Sequence, residues 1–82
     1  MPRVVVVGGD CARFTGGEAA FDVQAVTVRR LIAELDARYP GFGAYIDKRM
    51  AISIDGEIHQ DAGAVALTPN SEVYLIPRIG GG

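Results

Sequence analysis

The segment from Thr27 to Gly41 constrains the fold more than any other, because its type and both its ends can be read directly. Val28, Leu31, Ile32, Leu35 and Tyr39 recur at helical spacing, while Arg29, Arg30, Glu34, Asp36 and Arg38 occupy the other side. Thr27 is the expected N-cap, since its hydroxyl can accept from an otherwise unpaired N–H of the first turn. Glu34 and Arg38 form a favourable i, i+4 pair, and Pro40-Gly41 stops the helix. A helix with one apolar stripe must bury it against another layer. That layer has to come from strands.

The flanking sequence supplies them. Arg3 to Val7 is a β-branched run bounded by Gly8 and Gly9, and reads as a strand buried on at least part of both faces. Gly8 to Gly17 is a polar, glycine-rich connection. Ala19, Phe21 and Val23 alternate with Glu18, Asp22 and Gln24, a strand with one wet face. Phe42 to Lys48 fits either a loop or a short helical turn. Met50, Ile52 and Ile54 alternate with Ala51, Ser53 and Asp55, and Asp55-Gly56 is a two-residue hairpin signal leading into a return strand, Glu57 to His59. Asp61 to Ser71 is a connection with turns, and Val73 to Ile76 is the last strand, closed by Pro77.

The order β-β-α-β-β-β defines an α+β domain in which one main helix covers one face of a mixed sheet. The β-grasp is the expected fold, with the first and last strands side by side at the sheet's centre. Residues 1–77 form that domain, and residues 78–82 a flexible C-terminal glycine tail. Val4, Val6, Val73 and Leu75 should lie beneath the helix. Val7, Tyr74 and Ile76 should form a partly exposed apolar patch near the tail.

Composition narrows the function. Eighty-two residues suffice for one core, and an apolar content of 49% excludes an intrinsically disordered chain. Seven Arg and one Lys against six Asp and four Glu give a net charge of −2, without the basic excess a nucleic-acid binder of this size would show. The longest apolar run near the start, Val4 to Val7, is too short for a signal peptide or a membrane span, so a soluble cytoplasmic protein is expected. One cysteine cannot form an internal disulfide, and one cysteine with one histidine argues against a zinc or iron–sulfur site made by this chain alone. Cys11 reads as an incidental loop residue, His59 as a solvated hairpin residue, and Arg29 and Arg30 as a solvated helix face. The glycines before the second strand lack the GK[ST] of a phosphate loop and do not open a helix. No catalytic constellation emerges.

The end of the chain stands out. Gly80, Gly81 and Gly82 follow Arg78 and Ile79 directly after the last strand. Such a tail, without side chains past Ile79, can thread a narrow channel. Five extended residues reach about 17 Å, enough to enter a partner's active site while the domain stays outside. The reactive group would be the carboxylate of Gly82.

A β-grasp pattern of this length, ending in strand, proline, hydrophobe and Gly-Gly, resembles the MoaD/ThiS sulfur carriers, relatives of ubiquitin. The resemblance covers essentially the whole chain. It is sharpest at Thr27-Val28 with Leu31 to Leu35, at Ile52-Ser53-Ile54-Asp55-Gly56-Glu57, and from Glu72 to Gly82. Val73-Tyr74-Leu75-Ile76-Pro77-Arg78-Ile79-Gly80-Gly81-Gly82 looks closer to MoaD, although Arg78 stands where a second proline is common and Gly80 where a slightly larger residue is usual.

The resemblance implies a carrier rather than an enzyme. An adenylyltransferase of the ubiquitin-activating type (MoeB/ThiF-like) would use ATP to adenylate Gly82, and a sulfur donor would convert it to a thiocarboxylate. Gly80 and Gly81 would thread the channel, and Val7, Tyr74, Ile76, Arg78 and Ile79 would dock partners. No cofactor would be bound by the chain itself. The expected acceptor is the large subunit of molybdopterin synthase. The same tail also suits a carrier for thiamine, cysteine or another sulfur-containing product, or a ubiquitin-like protein modifier. A non-covalent β-grasp interaction module is a different class of reading.

Overall fold

A computed structural model of the chain describes residues 1–8, 11–59 and 62–78. Its elements run β1 (Arg3–Val6), α1 (Ala12–Thr15), β2 (Ala20–Asp22), α2 (Val28–Arg38), α3 (Phe42–Arg49), β3 (Met50–Ile54), β4 (Glu57–His59), a 3₁₀ turn (Ala62–Ala64) and β5 (Glu72–Pro77). The strands form one sheet in the order β2-β1-β5-β3-β4, with β1 and β5 parallel at its centre and the other pairs antiparallel. Helices pack on one face of this mixed sheet, which is the β-grasp arrangement. The expected fold class is observed.

The core forms where the helical stripe meets the inward residues of the sheet. Val28, Leu31 and Leu35 of α2 are fully buried, as are Val4, Val73 and Leu75 of the central strands; Val6 is nearly so. Ile32 and Tyr39 pack at the margin. Thr27 caps α2 as its sequence position requires, accepting from the Arg30 N–H through its hydroxyl at 3.2 Å. The Val28 N–H, which this cap does not reach, donates instead to the Val65 carbonyl at 3.1 Å. At the hairpin, Asp55 and Gly56 both adopt positive φ, 50° and 90°, as a type I′ turn needs.

Three local readings change. The segment from Phe42, readable as a loop or a short turn, is the eight-residue helix α3, with Phe42 and Ile46 buried one turn apart. Its first N–H groups are satisfied by a side chain outside it: Asp36 of α2 accepts from Gly41 at 3.2 Å and Gly43 at 2.9 Å. The glycine-rich connection after β1 contains the short helix α1, ended by Gly16 in the left-handed region. Cys11, at the start of that helix, is not an exposed loop residue. It is only 2% exposed, and its thiol donates to the Met50 sulfur at 3.4 Å.

Candidate functional site

The two central strands run in the same direction, so the exit of β5 is fixed beside the end of β1. Along an inner strand, successive residues turn their N–H and C=O groups to opposite neighbours. The Leu75 carbonyl faces β1 and accepts from the Val7 N–H at 2.8 Å. Pro77, two residues on, faces the same way and has no N–H to continue that ladder. On the other side pairing persists: Pro77 lies opposite Met50, and the Arg78 N–H donates to the Arg49 carbonyl at 2.9 Å. Pro77 therefore ends pairing with β1 only, which corrects the expectation that it closes the strand outright.

Gly8 is held against this exit. Its φ is 108°, and a Cβ there would come within 2.8 Å of Pro77 Cγ, so both backbone and space require glycine. Arg78 is then tied back to its own domain. Its Nε donates to the Met50 carbonyl at 3.1 Å and its Nη2 to the Asp47 carbonyl at 3.4 Å, which closes the C-terminal end of α3 with a cation. The guanidinium expected to serve partner docking thus already has intramolecular partners. Ile79, Gly80, Gly81 and Gly82, the docking, threading and sulfur-bearing positions of the sequence reading, lie outside the described residues.

On the sheet face away from the helices, Val5 of β1 is paired with Tyr74 of β5, and Tyr74 with Ser53 of β3. Val7 is 43% exposed and Tyr74 39%, with Ile76 half-buried beside Ala51. These residues share one face because the strand period is two. Ile58 of β4, 68% exposed and opposite Ser53, extends the same face toward the sheet edge. Sequence reasoning passed over Ile58, although its place between Glu57 and His59 on the return strand was the available signal. His59 is half-buried and, with Arg29, Asp47 and Arg78, lines a groove of about 330 Å³. No group of three or more metal-ligating side chains occurs among the described residues. Among those residues, no helix is long and apolar enough to cross a membrane.

A mixed sheet with its first and last strands parallel at the centre and helices on one face is the fold of the ubiquitin-like class. Comparison with known families makes this specific: residues 5–82 match the ThiS family, and the chain belongs to it. It is a sulfur-carrier protein of that family and not an enzyme. The match does not single out the MoaD branch that the C-terminal residues resemble. Comparison with curated protein sequences returns no match. Among solved structures, CysO of Mycobacterium tuberculosis, an antigen, superimposes with a TM-score of 0.84 at 18% identity, over 96% of this chain and 100% of that one. A chain of the Amycolatopsis orientalis BexX/CysO complex gives a TM-score of 0.83 at 17% identity over the full length of both. At these identities the likeness speaks for the fold.

Proposed function

We propose that Gly82 carries sulfur as a C-terminal thiocarboxylate and delivers it to an enzyme that makes cysteine, thiamine or another sulfur-containing small molecule. The observation that carries this reading is a ThiS-family match that runs through Gly82 itself. The end of β5–β1 pairing at Pro77 supports it, because the strand is released from one of its two neighbours just before the glycine run.

A carboxylate resists nucleophiles because of its own charge. An activating enzyme of the ThiF/MoeB kind removes that obstacle: a Gly82 carboxylate oxygen attacks the α-phosphorus of ATP and pyrophosphate leaves. A persulfide sulfur then displaces AMP, and a second thiol reduces the resulting acyl disulfide, leaving the thiocarboxylate and an oxidised donor disulfide. This chain contributes the carboxylate, a tail narrow enough to reach the catalytic groups, and a domain that docks.

The ThiS-family match, with CysO among the structural relatives, supports a recipient of this kind over molybdopterin synthase, which the MoaD-like ending suggests. Protein bearing radiolabelled thiocarboxylate, incubated in turn with enzymes forming cysteine, thiamine and molybdopterin, distinguishes them. Label in cysteine or thiamine is expected. Label passing only into the molybdopterin dithiolene would return the recipient to the MoaD type.

A further inference from the structure

We propose that Arg13, Lys48 and Arg49 form a cationic rim at the root of the tail, and that it docks against an acidic mouth on the activating enzyme. This rests on the carrier reading and adds the chemistry of the partner's surface.

The three side chains are exposed and line one groove with Ala44 and Tyr45. No carboxylate among the described residues lines that groove, in a chain whose net charge is −2. The one ion pair among the described residues, Arg38 with Glu34, lies elsewhere, on α2. Arg13 is held in place by aromatic faces, its guanidinium carbon 5.3 Å from the Phe14 ring centre and 5.5 Å from that of Tyr45. Those rings pack on each other at 5.1 Å, so the cation sits on a rigid shelf.

The simplest alternative is that cations collect here to offset the C-terminal dipole of α3. Arg78 already serves that purpose through the Asp47 and Met50 carbonyls. Arg13 belongs to a different helix and is not accounted for by that dipole at all.

Location selects the partner. The Arg49 carbonyl accepts from the Arg78 N–H, so the rim adjoins the first residue of the tail. Four extended residues beyond Arg78 span at most about 14 Å. Any enzyme that holds the Gly82 carboxylate at its catalytic centre must therefore bring the mouth of its channel up to this rim. A nucleic acid or an anionic membrane would meet a surface that carries more acids than bases overall. A local contact with an acidic protein mouth carries no such penalty.

The test measures ATP–pyrophosphate exchange by the cognate activating enzyme, with the full chain as substrate. Wild type is compared with Arg13→Glu/Lys48→Glu/Arg49→Glu and with the milder Arg13→Gln/Lys48→Gln/Arg49→Gln, which keeps the measurement possible if charge reversal disturbs folding. The KM for the carrier should rise about tenfold or more on reversal and less on neutralisation, with kcat within about twofold, as rim charges act on encounter. Added salt should raise the wild-type KM and leave the variants' nearly flat. Unchanged KM in both variants overturns the rim. So does wild-type binding to duplex DNA or phosphatidylserine vesicles that the same substitutions abolish while KM stays put. Absence of exchange with wild type, or exchange that survives loss of Gly82, instead overturns the carrier reading beneath it.

Discussion

Asp36 shows how a single side chain can join two elements. It lies near the end of α2, yet its Oδ1 accepts from Gly41 and Gly43 and so closes the start of α3, whose own N-cap position holds a glycine. The fit is close: a Cβ on Gly43 would stand 2.9 Å from the Asp36 Cβ. Asp36→Ala should cost about 1 kcal/mol, and Asp36→Asn, which keeps the acceptor, only a few tenths. Urea denaturation measures both, and equal losses in the two variants would show that the cap is not what Asp36 contributes. Residues whose partners lie within a few positions were legible from sequence, including Thr27 over Arg30 and the Asp55-Gly56 turn. Asp55 also accepts from the Glu72 N–H at 2.9 Å, tying the hairpin to β5, and that contact across 17 positions was not legible. Cys11 was misplaced for the same reason: its burial depends on Met50, which is distant in the chain.

Among the elements, α2 could be read because eleven residues carry an uninterrupted stripe with a cap and a stop. α3 could not, because a glycine interrupts its first turn and its burial is supplied by α2 and the rings of Phe14 and Tyr39. The central pair was expected from the β-grasp and suited the two most apolar runs, and β1 and β5 do occupy the centre. The faces that β1 and β5 turn to the helices followed from alternation; Ser53, on the open face of β3, is nevertheless buried. Leu35 offers the plainest test of the packing. It is fully buried on the inner face of α2, and Leu35→Ala should cost about 2–5 kcal/mol by lost contact and cavity formation, a large share of a small domain's stability. A variant melting like wild type would show that this stripe is not the core.

For the whole molecule, the proposed function separates the fold from the carrier end. The core is complete by Leu75, so removing Gly82 should leave the melting temperature within about a degree while sulfur transfer disappears. A deletion that unfolds the domain would mean the tail belongs to the core. The domain was legible because its elements are written in contiguous residues, whereas the ending is read from the sequence alone. The recipient was not, because recognition by a partner leaves no periodicity to read. The central claim, that Gly82 bears the sulfur, is tested most directly by intact mass and fragmentation after incubation with the activating enzyme, ATP and a sulfur donor. The predicted result is a mass gain equal to the difference between sulfur and oxygen, confined to the final residue. A gain mapping to Cys11, or one acquired equally by a chain lacking Gly82, would contradict it.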